Sequence, residues 1–301
     1  MKKVKENKIV VVLGMHRSGT SAFAKLFTKL GYSAGNNLMP ADSSNMEGYW
    51  EDVDIYNLNQ QILSFLFLSW DEYEELQFRK SVLMKDILLE KFGENALKII
   101  KNKLLKDSTI VIKEPRISIL LPFWNQIFNR INATVDYILV MRNPVDVAKS
   151  LSKRNNFSVK KSLNLWYYYN QCCLTDSPKP LYLAHFEKLI SSPEEQLKNI
   201  TLSLGIHKID SIDPVNIINN KIIHHKTPDN EQKTITKNFK HVEEIYKTLI
   251  NNELVDKETP TCVNNVFKED KAIYTSSLFY NEKVNDDYFN TGIKQVKHKE
   301  G

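Results

Sequence analysis

The sequence predicts an α/β fold, with a central parallel sheet flanked by helices and a mostly helical or irregular C-terminal extension. Three observations point there. Short β-branched or apolar runs alternate with helical stretches from residue 9 to about residue 205. Five of the nine glycines (Gly14, Gly19, Gly31, Gly35 and Gly48) lie in the first 50 residues, which concentrates special backbone geometry near the N-terminus. Beyond residue 206 the alternation fades, and from Asn251 to Gly301 apolar residues are sparse among Lys, Asn, Asp and Thr. The expected division is a core over 1–205 and an extension over 206–301.

Taken in order, Ile9–Leu13 is a continuous apolar run, the pattern of a strand buried on both faces. Gly14–Gly19 follows as a loop. Thr20–Leu30 places Phe23, Leu26, Phe27 and Leu30 on one helical face, with Gly31 where a C-terminal cap belongs. Thr109–Ile112 reads as a strand, followed by a helix around Ile119–Phe128. Val135–Met141 is another buried strand. Asn143 and Pro144 supply an N-cap and a first-turn proline for a helix to Arg154. Trp166–Cys173 lies on the next helix. Trp166, Tyr167, Tyr168 and Tyr169 circle it, so they are expected to divide between core and surface. Leu181–Ala184 is a short strand. Ser192-Pro193-Glu194-Glu195 forms a capping box opening a helix that Gly205 closes, and Val242–Ile250 reads as one amphipathic helix.

Composition narrows the function. The 301 residues carry 41 Lys+Arg against 36 Asp+Glu, a net charge of +5. With 42% hydrophobic and 26% charged residues the chain is neither globally disordered nor collagen-like. The basic excess is too mild for a polycationic nucleic-acid binder but leaves room for a local anion site. Cys172, Cys173 and Cys262 make no disulfide framework and no Cys-x-x-Cys zinc pattern, and the seven histidines form no ligand cluster, so no metal is expected. No segment approaches the roughly 18–20 apolar residues of a membrane span. The apolar run after the N-terminal lysines is below the roughly 7–15 residues of a signal segment, so a cytoplasmic protein is expected.

Gly14-Met15-His16-Arg17-Ser18-Gly19-Thr20-Ser21 stands between a buried strand and a helix. Backbone N–H groups in such a loop converge on one point where the helix N-terminus adds positive potential, so a phosphate or sulfate group is the expected ligand. The glycine spacing matches a Walker A loop, hence a P-loop-type sheet, but Thr20 replaces the lysine that reaches the β- and γ-phosphates. Arg17 offers charge within the loop, and Ser18, Thr20 and Ser21 offer hydroxyls.

His-Arg-Ser-Gly-Thr-Ser after a strand resembles the 5′-phosphosulfate loop of sulfotransferases that use 3′-phosphoadenosine 5′-phosphosulfate (PAPS), especially the bacterial and carbohydrate-type branch. A second segment agrees. Arg142-Asn143-Pro144 with Ser150 eight residues after the arginine resembles the family's grip on the 3′-phosphate, and Arg154 falls where a further basic residue is common. Met46-Glu47-Gly48-Tyr49-Trp50-Glu51 and Lys113-Glu114-Pro115-Arg116 are similar to two more of its segments, with Glu114 in place of an aspartate. The resemblance covers residues 9–204.

It implies in-line sulfuryl transfer from PAPS as co-substrate, without a metal, to a hydroxyl or amine of a carbohydrate or glycoconjugate acceptor. His16, Arg17, Ser18, Gly19, Thr20, Ser21, Arg142, Ser150 and Arg154 would hold PAPS. A high-pKa acceptor hydroxyl needs a positioned base; the candidates, in order, are Glu51, Glu47, His16 and Glu114. Lys113 and Arg116, after a strand, should point into the cleft for charge stabilisation or acceptor binding, with an ion pair as the plain alternative. Tyr49, Trp50, Glu114 and Arg116 are the acceptor-side candidates. The alternative readings are a P-loop small-molecule kinase, which the missing lysine disfavours, and a non-catalytic phosphonucleotide-binding module.

Overall fold

Val10, Val11 and Val12 are buried on both sides of the sheet because their strand, β1 (Lys8–Leu13), is central. β1 pairs in parallel with β2 (Thr109–Lys113) on one side and β3 (Thr134–Met141) on the other. A computed structural model describes residues 6–42, 45, 48–72, 86–206, 227–228, 236–250, 252 and 254–256. Among them the sheet has five strands in the order β2-β1-β3-β4-β5, where β4 is Leu181–His185, parallel, and β5 is Leu254–Val255, antiparallel. The α/β architecture is the one the sequence predicts. β5 comes from the stretch read as tail, where two residues give no periodicity to detect.

Helices cover both faces. On one, Val10 and Val12 pack with Phe23, Leu26 and Phe27 of α1 (Thr20–Lys29). α1 ends as its sequence suggests, with Gly31 in the left-handed region at φ +90°. α2 (Val53–Phe65) and α3 (Asp86–Lys106) then lead to β2. The helix expected around Ile119–Phe128 starts later, at Leu121: Pro115–Ser118 forms a 3₁₀ turn and α4 spans Leu121–Phe128. α5 (Pro144–Asn155) has the expected cap, since Asn143 Oδ1 accepts from the N–H groups of Val145 and Asp146. α6 (Val159–Asp176) and β4 follow, then α7 (Phe186–Ser191) and α8 (Pro193–Ser203). Ser192 stands at the N-cap of α8, but its hydroxyl makes no capping bond. The Gln196 side chain is instead turned inward to accept the His185 N–H at 3.4 Å.

The aromatic run on α6 departs from expectation. Trp166, Tyr167, Tyr168 and Tyr169 are all buried. The reason is α9 (Lys240–Ile250), which packs on α6 and brings Tyr246 to 6.1 Å from Trp166 and His241 to 4.6 Å from Tyr167. Where α9 covers it, α6 has no solvent face to keep polar. Thr227 also reaches the core: its N–H (3.0 Å) and its hydroxyl both donate to Asp146 Oδ1 in the first turn of α5. No helix among the described residues is long and apolar enough to cross a membrane.

The strand register positions the site. Lys113 lies beside Val12, Leu13 beside Leu139, and Met141 beside His185. The Gly14 loop, the Lys113 segment and the Arg142 segment therefore all leave the sheet at its carboxyl edge, where ligands bind in open α/β sheets.

Candidate functional site

The loop after β1 is held by close approaches that exclude other residues. Gly14 has φ +140°, and a Cβ there would lie 2.9 Å from Val140 O and 3.0 Å from Thr20 Cγ2. Its N–H donates to Ser118 Oγ at 3.0 Å, tying the loop to the 3₁₀ turn after Lys113. Gly19 has φ +89°, and a Cβ would fall 2.2 Å from Cδ2 of Phe186. Arg17, between them, is itself left-handed at φ +69°, a conformation a side chain adopts only when its surroundings enforce it. No side chain caps the N-terminus of α1 and no acidic residue occupies its first turn, so the positive end of that helix is available to an anion.

The two cationic segments of the sequence meet here. Arg17 Nε–H donates to Ser150 Oγ at 2.8 Å, and Arg142 Nη1–H donates to the Arg17 carbonyl at 2.9 Å. Arg142 is 7% exposed and lies over the Phe186 ring at 4.7 Å, while Trp166 Nε1–H donates to its carbonyl at 3.1 Å. Two buried donors in this assembly, Arg142 Nε and Ser18 Oγ, have no hydrogen-bond partner among the described residues. Burial, then the like charge of Arg142, pulls Arg17 below the ordinary arginine value. Burial lowers Arg142, and burial with Arg17 lowers Arg154, which lies 5.9 Å from the Trp70 ring. Arg142 and Arg154 take part in no ion pair among the described residues. Such a cluster is complementary to a multiply charged anion.

His16 faces the other side of the loop. Its ring is 4.3 Å from Trp70 and 6.0 Å from Tyr169, and its Nε2 is buried without a partner. Tyr169 in turn holds Trp70 by donating to its carbonyl at 3.0 Å. Burial, then Arg116, Arg154, Lys113 and Arg17, keep the His16 pKa well below 6.5. The sign follows by linkage. Unfolded His16 takes up a proton from about pH 6.5 downward, whereas the folded ring resists until lower pH. Its stabilising contribution is therefore present above pH 6.5 and lost as pH falls from there through the folded pKa. Urea unfolding from pH 7.5 to 5 should show the wild type losing stability faster than His16→Gln, by up to about 1.4 kcal/mol per pH unit. Parallel profiles would refute the depressed pKa.

Beyond the loop, Glu51 is buried and pairs with Lys113, Oε1 to Nζ at 2.6 Å. The same ammonium donates to the Tyr49 carbonyl at 2.9 Å, which also accepts from Ser21 Oγ at 3.1 Å. Tyr49 thus joins the loop to Lys113, and its own hydroxyl donates to Asp42 Oδ2 at 2.7 Å. Trp50 is left-handed at φ +56°. Glu47 lies outside the described residues. Glu114 is fully buried and accepts from Asn59 Nδ2 and, at 2.5 Å, from Arg116 Nη1. Arg116 lies 4.8 Å from the Tyr56 ring, and Trp124 Nε1 fixes Asn59 Oδ1 at 2.8 Å. Glu114 is therefore held in a network that orients Arg116.

The structure thus brings His16–Ser21, Arg142, Ser150, Arg154, Tyr49, Glu51 and Lys113 around one loop. Sequence reasoning missed Ser118, Asn59 and Phe186. Ser118 lies four residues after Glu114 and could have been suspected. Nothing in the sequence marks Phe186 as the ring that both forbids a side chain at Gly19 and stacks Arg142. No group of three or more metal-ligating side chains occurs among the described residues.

No protein-family model matches the chain, and a search of curated proteins finds no match. Among solved structures it is similar to the sulfotransferase domain from the Synechococcus PCC 7002 olefin synthase, with a TM-score of 0.42 and 16% identity over 80% of this chain and 98% of that one. It is also similar to the sulfotransferase domain from the curacin biosynthetic pathway, with a TM-score of 0.41 and 14% identity over 78% and 98%.

Proposed function

We propose that the chain is a PAPS-dependent sulfotransferase acting on a hydroxyl or amine of a carbohydrate or glycoconjugate acceptor. The observation that carries this reading is the direct union of the Arg17 loop with Arg142 and Ser150. A ligand with an anionic group at each end of a nucleoside suits such a pair of joined sites, and a nucleotide with 5′ groups alone would leave one of them unused. The partnerless buried donors Ser18 Oγ and Arg142 Nε fit phosphate or sulfate oxygens.

PAPS supplies an activated sulfuryl group for in-line displacement. The residues of this chain bind, orient and neutralise. Loop N–H groups, the α1 N-terminus and Ser18 hold the 5′ phosphosulfate; Arg142 and Ser150 hold the 3′-phosphate. Arg17 spans the two, and its cation, with Lys113, stabilises charge that develops on the leaving phosphate. Ser21 is engaged by the Tyr49 carbonyl, so its part is to fasten the acceptor-side segment to the loop. Glu51, held by Lys113 through Oε1, takes the acceptor proton on Oε2, and the pairing orients that base. Neutral His16 with Trp70 and Tyr169 shields the loop from water.

Calorimetric titration with 3′-phosphoadenosine 5′-phosphate and with 5′-AMP tests the reading. The 3′-phosphorylated nucleotide should bind at least tenfold tighter, about 1.4 kcal/mol. Equal affinities would remove the 3′-phosphate site and with it the PAPS assignment.

A further inference from the structure

Beside the loop site lies a concavity of about 420 Å³ along the outer edge of β2, where Ser33 pairs with the strand, and Lys113 borders both. That size is within the roughly 300–1,000 Å³ of small-ligand sites. Its walls are α2 and α3, packed together through Phe65 and Phe92 at 5.7 Å. Asn57 and Gln61, one turn apart on α2, face the cavity, as do Asn95 and Asn102, two turns apart on α3. Asn37 and Trp50 close the end nearest the loop, and Ile55, Leu58, Ile99 and Ile110 add apolar surface.

The chemistry of the lining selects its ligand. A carboxamide presents two N–H donors beside an acceptor, a match for neighbouring hydroxyls that each donate and accept. No hydrogen bond within the described residues engages the side chains of Asn57, Gln61, Asn95 or Asn102. The Trp50 indole and the isoleucines offer apolar faces to the C–H side of a sugar ring. The lining carries four lysines (Lys98, Lys103, Lys106 and Lys113) against three aspartates (Asp52, Asp54 and Asp107), and two of the lysines are already engaged, Lys103 by Asp52 and Lys113 by Glu51 outside the lining, so the net positive charge left to the wall is small. A polyanion gains little from such a wall. Trp50 and Asp52 line the cavity, while Glu51 between them turns to Lys113 in the loop site. The segment is held at Glu51 and just after it, as Met39 N–H donates to Glu51 O and Val53 N–H to Asn37 O, both at 2.8 Å.

We propose that this amide-lined groove binds a neutral oligosaccharide and delivers one end of it toward Glu51. Sugar binding stands on the lining alone; the role as an arm of the acceptor site rests on the sulfotransferase reading.

The full chain is titrated with cellohexaose, maltohexaose and N-acetylchitohexaose, and with a heparin-derived hexasaccharide as the polyanionic comparison. At least one neutral hexasaccharide should bind with a submillimolar Kd and weaken tenfold or more in Asn57→Leu/Asn102→Leu. Titration of the same samples with 3′-phosphoadenosine 5′-phosphate should be unchanged by those two exposed substitutions, which also reports that the variant is folded. Absence of binding by all three neutral sugars, binding indifferent to the substitutions, or binding of the polyanion alone would overturn the groove. Loss of nucleotide binding in the wild type with sugar binding intact would overturn the sulfotransferase reading and leave the groove standing.

Discussion

Arg142→Ala should abolish the preference for a 3′-phosphorylated nucleotide. A hydrogen bond to a charged group contributes about 1.5–3 kcal/mol, so affinity for 3′-phosphoadenosine 5′-phosphate should fall roughly 10–100-fold while affinity for 5′-AMP moves less than about threefold. The stability of the free protein should respond differently. Arg142 is buried with no ion pair among the described residues, and burial lowers its pKa, so its charge costs free energy in the free protein. Removing it relieves that cost but loses the bond to the Arg17 carbonyl and the contact with Phe186. These opposing terms should leave the nucleotide-free midpoint changed by less than about 1 kcal/mol. The stabilisation gained at a hundredfold excess of ligand over the wild-type Kd, about 2.7 kcal/mol, should fall to about 0.4–1.4 kcal/mol. Thermal unfolding with and without each nucleotide measures both quantities. Equal weakening of the two nucleotides would show that Arg142 only props the loop through the Arg17 carbonyl. Ser150→Ala, which removes a single acceptor from Arg17, should shift affinity in the same direction and less.

The sequence makes the sheet legible because parallel strands buried on both faces read as continuous apolar runs, as Ile9–Leu13 and Val135–Met141 do. The loop is legible because its glycines and arginine are local. What escaped is what depends on distant chain. Tyr167 cannot be assigned to the core without knowing that α9, some 75 residues later, packs on α6 and sets His241 against it. The two-residue strand β5 is too short for any period. The partners of the carboxylates are equally non-local: Glu51 meets Lys113 across 62 positions, and Glu114 meets Asn59 across 55. Residue type gave the candidates, and only the fold distinguishes a carboxylate set beside the loop, Glu51, from one enclosed with Asn59 and Arg116, Glu114. Ser192 shows the converse, a local capping motif whose hydroxyl makes no capping bond in the fold.

Glu51→Gln should reduce sulfuryl transfer by about 10²–10⁴-fold, the usual contribution of a positioned base, with nucleotide affinity held within about twofold. The substitution has a second effect that must be separated from the first. Both members of the Glu51–Lys113 pair are buried, and removing one leaves the Lys113 ammonium uncompensated, which costs about 3–5 kcal/mol in buried pairs. A loss of turnover in Glu51→Gln alone could then reflect a disturbed site. The double variant Glu51→Gln/Lys113→Met removes both charges and keeps similar side-chain volumes, so it should recover most of the lost stability, because a buried pair replaced together is close to neutral. It should not recover transfer. Urea unfolding and labelled-PAPS turnover on wild type, both single variants and the double variant complete the cycle. If turnover rises with stability in the double variant, Glu51 is a partner for Lys113 and no base. If stability returns and transfer does not, while 3′-phosphoadenosine 5′-phosphate still binds, the loss belongs to the chemistry of Glu51 and Lys113 and not to the fold, and the assignment of the base to Glu51 rests on Glu51→Gln losing transfer with the Lys113 cation retained.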